Sequence, residues 1–154
     1  MKITLVRSLS LILVLFASYS HANDAGRTSP QAGARTYAQN YKDMVLAQCI
    51  ATAYKDDRQA STDAGSSVTA LRDWTNYDWD KHAYDEVVSP LVEKYLARDY
   101  HNPLAEAEIK GIQFSLLKCL DLYHSEELAT VVKHVVINPM RTYRQDNQPS
   151  AEPR

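Results

Sequence analysis

Apolar residues recur along this chain at helical spacing in five stretches, each bounded by capping or breaking residues. The first covers about 37–56. Tyr37, Tyr41, Met44, Val45, Gln48, Cys49 and Thr52 fall on one face, and Leu46, Ile50, Ala53 and Tyr54 on a second. An apolar arc this broad predicts a helix central to a bundle. The second stretch, about 60–74, turns Val68 and Leu71 inward. Ser61, Thr62 and Asp63 are all candidate N-caps for it, and Gly65 lies inside it. The third, about 82–98, repeats Val87, Val88, Leu91, Val92, Tyr95 and Leu96, with Glu86, Glu93, Lys94 and Arg98 outside the stripe. Pro90 either opens this helix behind a Ser89 cap or kinks a longer one. Asp99-Tyr100-His101-Asn102-Pro103 is a break, and Asn102 as cap with Pro103 in first position opens a fourth helix over about 104–123. Its predicted buried face is Ile109, Ile112, Leu116, Cys119, Leu120 and Tyr123. Ser125 caps the fifth helix, Glu126 and Glu127 suit its N-terminal dipole, and Leu128, Val131, Val132, Val135 and Val136 fit the helical template up to Asn138-Pro139. The predicted fold class is all-α, a compact bundle of about five helices.

One apolar run is of another kind. Lys2 and Arg7 form a basic start before the apolar run 9–17, which is broken only by Ser10, and the small-x-small string Ser20-His21-Ala22 follows. This predicts a secretory signal peptide over 1–22, cleaved before Asn23. The run is well short of the roughly 20 residues that a spanning helix needs. Residues 23–35 lack an apolar period and are expected to be a flexible leader. Residues 36–144 form the helical domain, and 145–154, with two prolines, a disordered tail.

Export changes the meaning of Cys49 and Cys119. An even cysteine count in an oxidising compartment favours a disulfide. The pair lies mid-way along the two most apolar helices, so a bridge would staple the centre of the bundle. Closing a loop of 70 residues contributes roughly 4 kcal/mol in the chain-entropy model.

Composition narrows the chemistry further. The 154 residues include four glycines, Gly26, Gly33, Gly65 and Gly111, too few for a glycine-rich phosphate loop. Signal cleavage would lower the basic count from 17 to 15 against 19 acidic residues, a net charge of −4 with no basic run, which argues against nucleic acid as a partner. No Cys-x-x-Cys-His string occurs for haem attachment. His82, His101, His124 and His134 are never three or four apart, so no zinc site is expected. Ser66, Ser67 and Ser125 lack a Gly-x-Ser-x-Gly setting. The expectation is no catalytic residue, no metal, no cofactor and no enzyme. What remains is surface recognition. Of ten tyrosines nine follow the signal peptide, and Trp74 and Trp79 join them. Tyr41, Tyr95 and Tyr123 are assigned to the core. The segments 73–80, with three aromatics and three aspartates, and 99–102 are the candidate partner-contacting loops.

The strings Tyr41-Lys-Asp-Met-Val-Leu-Ala-Gln-Cys49-Ile-Ala-Thr-Ala-Tyr54-Lys, Asp63-Ala-Gly65-Ser-Ser, Tyr95-Leu-Ala-Arg-Asp-Tyr100 and Lys118-Cys119-Leu-Asp121-Leu-Tyr123-His124-Ser125 resemble the immunity proteins of type VI secretion amidase effectors, in particular their fourth family. The resemblance covers about 37–143. It implies an all-helical periplasmic protein with no membrane contact after signal cleavage. It implies a homodimer that binds two copies of a cognate peptidoglycan amidase. That effector would be a papain-like Cys/His amidase cutting the D-Glu–diaminopimelate bond, its catalytic cleft obstructed by a helix and a protruding loop. A cleft built for an anionic peptide stem accepts an acidic, aromatic-rich element by complementarity. The candidate effector-binding residues are therefore Asp80, Glu86, Glu93, Arg98, Asp99, His101 and Asn102, on the third helix and the loop after it. The alternative is a periplasmic helical chaperone-like or structural module without a toxin partner.

Overall fold

The computed structural model describes residues 30–82 and 84–148. The predicted signal peptide, the leader up to residue 29 and the end of the tail from residue 149 lie outside them. A 3-10 helix over Gln31–Ala34 is followed by α1 (Tyr37–Ala53), α2 (Arg58–Asp73), α3 (Trp79–His82), α4 (Tyr84–Leu96), α5 (Pro103–Glu108), α6 (Ser115–Tyr123), α7 (Glu126–Val135) and α8 (Tyr143–Asp146). Five of these, α1, α2, α4, α6 and α7, are long enough to build a bundle, and the all-α expectation holds.

The apolar breadth of α1 places it at the centre, packed against α2, α4, α6 and α7. Its start is fixed by a capping box in which the Thr36 hydroxyl accepts from the Gln39 amide and the Gln39 side chain accepts from the Thr36 amide. Tyr41, Met44, Val45 and Cys49 are buried with Val88, Val92, Tyr95, Cys119, Leu122, Leu128, Val132 and Val135 in one core. Cys49 and Cys119 are bonded, Cα to Cα 5.7 Å, and join α1 to α6 as expected. Buried Asn40 donates to the carbonyls of Ala32 and Trp74, both at 2.8 Å. One amide thus holds the 3-10 helix and the end of α2 to the central helix.

The structure corrects some expectations and decides between others. The cap of α2 is Asp57, whose carboxylate accepts from the amides of Gln59 and Ala60, rather than Ser61, Thr62 or Asp63. The first turn of α2 carries no large apolar residue, so periodicity alone starts the helix late. Of the two readings of Pro90, the structure has it inside a longer helix, α4, rather than opening one behind Ser89. Pro90 removes the amide that would bond the Glu86 carbonyl, and both residues are exposed.

The expected fourth helix is two helices. Ile109 leaves the helical region at the end of α5, Gly111 takes φ +76° and Phe114 φ 53°, and α6 restarts at Ser115. The restart shifts the buried register to Lys118, Cys119 and Leu122. Ile109, Leu116 and Leu120, predicted inside, are 58%, 47% and 38% exposed.

Among the described residues, helical structure continues on both sides of 36–144. Ala32 and Gly33, at the end of the expected leader, are buried. At the start of the expected tail, Asp146 closes α8 onto α1: it accepts from the Tyr37 hydroxyl at 2.8 Å and from Arg141 Nε at 2.6 Å. An isolated bridge between Thr36 and Thr142 brings the two ends of the domain side by side.

Candidate docking surface

The surface is built where α4 ends. Leu96 closes α4, Asn102 caps α5, and the connection between them carries Arg98, Asp99, Tyr100 and His101. A chain that must leave one helix and enter the next within so few residues is held by side chains rather than by backbone ladders. The Asn102 carboxamide accepts from the amides of Leu104 and Ala105, and its own amide donates to Glu106 Oε1 at 2.7 Å. The other Glu106 oxygen lies 2.8 Å from His101 Nδ1. One carboxylate in the first turn of α5 therefore fixes two successive loop residues.

The other side of the loop rests on α4 and α6. The Arg98 guanidinium stacks 3.5 Å from the centre of the Tyr95 ring. Hydrogen bonding to Tyr100, and then to Tyr95, holds the Arg98 pKa above its ordinary value. The Tyr100 hydroxyl donates to Asp121 on α6. Lys118, a helical turn before Asp121, donates from Nζ to the Leu96 carbonyl at 3.1 Å.

Of the seven sequence-predicted residues, Arg98, Asp99, His101 and Asn102 are brought together in this loop. Asp99, His101 and Asn102 face solvent, and Arg98 is half-buried. Clefts of about 320 Å³ and 450 Å³ open beside it, the first floored by Phe114 and Leu117, the second bordered by Glu106, Lys110 and Ile112. Glu86 and Glu93 lie two turns apart on the exposed side of α4, roughly 10 Å along its axis. Glu93 also accepts from the Ser89 hydroxyl at 3.4 Å. The stripe leads to the loop without belonging to it. Asp80 stands apart on α3, exposed, its amide donating to Asp78.

The segment 73–80 divides between core and surface. Tyr77 is buried, edge-on to Tyr41 at 5.7 Å, while Trp79 is 61% exposed with Arg72 stacked 5.5 Å over its ring. Hydrogen bonds from Lys81 hold the Asp78 carboxyl below its usual pKa. Sequence reasoning missed Glu106, Lys118 and Asp121, the residues that hold the loop. The signal for Glu106 was present: an acid four residues after the Asn102 cap reaches back to it. Lys118 and Asp121 depend on the register of α6, which the unbroken-helix expectation had displaced.

Among the described residues no group of three or more His, Cys, Asp or Glu side chains is placed to hold a metal ion, and no helix is long and apolar enough to cross a membrane. The surface offers shape, acid and hydrogen-bonding groups to a partner.

The family described as type VI secretion system (T6SS) amidase immunity protein, Tai4, matches residues 39–132. A solved structure from work on new type VI-secreted toxins and self-resistance proteins in Serratia marcescens is similar at a TM-score of 0.66 and 30% identity, covering 80% of this chain and 99% of that one. The selenomethionine variant of the Tae4/Tai4 effector–immunity system from Salmonella typhimurium is similar at a TM-score of 0.57 and 22% identity, covering 69% of this chain and 95% of that one. At that identity the second likeness bears on the fold alone. No curated protein sequence matches.

Proposed function

This chain belongs to the type VI secretion amidase immunity family, and from that premise we propose how it neutralises its effector. It is an immunity protein, an inhibitor rather than an enzyme, and its partner is a cognate amidase. That membership removes the chaperone-like alternative. The inhibition is a blockade of the amidase's catalytic cleft by the 98–102 loop, with the exposed side of α4 laid along the rim. The target is a papain-like Cys/His amidase that cuts the D-Glu–diaminopimelate bond of peptidoglycan. Its cleft accepts an anionic peptide stem, so Asp99 supplies charge of the sign the cleft is built for, and Glu86, Glu93 and Asp80 extend it.

The observation that carries this reading is the bracing of the loop. Asp99, His101 and Asn102 stand in solvent while Glu106 holds the His101 ring and the Asn102 backbone amide, Asp121 holds the Tyr100 hydroxyl and Lys118 holds the Leu96 carbonyl. A loop already fixed in shape loses little freedom on docking.

The protein acts in the periplasm after removal of residues 1–22, a location in keeping with the disulfide. It works as a homodimer presenting two loops to two effectors. The uncharged groove between Tyr54, Ile112, Leu116 and Leu120 on α6's outer side supports a second copy as its occupant.

The test is inhibition of the purified cognate amidase by the Glu93→Arg/Asp99→Arg variant. Loss of inhibition with an unchanged helical signal is expected. Inhibition equal to that of the parent protein refutes this surface.

A further inference from the structure

Lys118 is a buried cation, 8% exposed, on the residue before the Cys119 half of the disulfide. Lysine is rarely buried, because its ammonium loses water and needs partners for three donors. An aliphatic side chain of similar length would fill the inward face of α6 without that cost. The position of the ammonium gives a reason for its presence. It donates to the Leu96 carbonyl, at the end of α4 where helix carbonyls lack intrahelical donors and the dipole is negative. It also stands 5.7 Å from the centre of the Tyr100 ring. Three residues on, Asp121 accepts from the hydroxyl of the same tyrosine. The disulfide fixes α6 to α1, so both groups act from an anchored helix.

We propose that Lys118 is a positioning residue for amidase binding: it fixes the end of α4 and the Tyr100 ring, and so pre-orders Asp99, His101 and Asn102 before the partner arrives. The inference rests on the reading of 98–102 as the docking loop. Lys118 itself is too buried to meet the amidase, so its effect must pass through the loop.

The experiment is a double-mutant cycle on binding to the purified cognate amidase, with Lys118→Met on one axis and Asp99→Ala/His101→Ala on the other. Lys118→Met is expected to weaken binding about tenfold, and to weaken the loop-truncated variant by less than about twofold, because the contacts it positions are already gone. Equal losses in both backgrounds would mean a general structural role and overturn the proposal, as would unchanged binding by Lys118→Met. A loss with the loop variant but none with Lys118→Met sinks the positioning role alone. No loss with the loop variant sinks the docking reading and the proposal with it. In the free protein, Lys118→Met should speed amide exchange at 98–102 while α1 and α7 stay protected. If Lys118→Met does not fold, Lys118→Gln takes its place in the cycle, since its shorter, uncharged side chain gives up the ammonium bond to the Leu96 carbonyl while staying polar, and the same outcomes apply.

Discussion

Asp146 shows how one side chain ties distant parts of this chain together. It accepts from Tyr37, 109 residues away, and from Arg141. Hydrogen bonding from Arg141, then from Tyr37, lowers the Asp146 pKa below its ordinary value. Burial, then the bond to Asp146, raises the Tyr37 phenol to about 12. The two shifts act at opposite ends of the pH scale. A carboxyl depressed in the folded state contributes stability that is complete above its unfolded pKa and is lost as pH falls through the folded value. A phenol raised in the folded state contributes stability that is complete below its unfolded value of 10.0 and is lost as pH rises towards about 12. Asp146→Asn should therefore lower Tm near neutrality, and the gap to the parent protein should narrow as pH falls through 3.8, the ordinary carboxyl value, towards the lower folded one. Calorimetry across that range checks it, and a gap that stays constant with pH would assign the effect to packing. Nothing in the sequence marked Asp146, because it sits in a polar, proline-containing end and its partners are read only from the fold.

At the scale of elements, two glycines that look alike in sequence have opposite roles. Gly65 lies within α2 with open space where a Cβ would project, whereas Gly111 holds φ +76° between α5 and α6. Gly65→Ala should stabilise the protein by about 0.5–1 kcal/mol, the ordinary glycine penalty in a helix. Gly111→Ala should destabilise it by about 1–2 kcal/mol, the cost of a left-handed conformation for a residue with a Cβ. Urea unfolding of the two variants measures both signs, and a gain at Gly111 would contradict the turn. The same turn explains which parts of the fold were legible in sequence. Helices whose ends carry a chemical signal, such as Ser125 before α7 and Asn102-Pro103 before α5, fall where expected. So does the disulfide, since compartment and count decide it. The break at Ile109–Phe114 was hidden because 104–123 keeps apolar residues at helical spacing through the turn. One missed break changed the register, and with it the burial of Leu116, Lys118 and Leu120. Of the candidate surface, the place of Asp99, His101 and Asn102 in an exposed connection was legible from the break before Pro103. Its support was not, because that depends on which side of α6 faces α4.

For the whole molecule, the same register shift leaves Leu116, Leu117 and Leu120 on the outside. With Tyr54 and Ile112 they line a groove of about 620 Å³ that has no charged side chain in its lining. Interfaces between partners that also live apart are no more apolar than ordinary surface, whereas the fully buried centre of a homodimer is. The chemistry of this face thus favours a second copy of the chain over the amidase. A two-fold pairing uses the same patch on both copies, so each Leu116 and Leu120 would meet its counterpart's face. Phe114 and Leu117 border both this groove and the cleft beside Asp99–Asn102. Pairing here would set one docking loop at each edge of the shared face, which supports one amidase per loop and two per dimer. Leu116→Glu/Leu120→Glu should place two buried like charges on each side and convert the proposed dimer to a monomer, read by light scattering, with the helical signal retained. Because both positions are exposed in the single chain, the fold itself should lose no more than about 0.5 kcal/mol. A variant that remains dimeric would move the pairing face elsewhere, and a monomer that still inhibits the amidase would show that each loop docks independently of its twin.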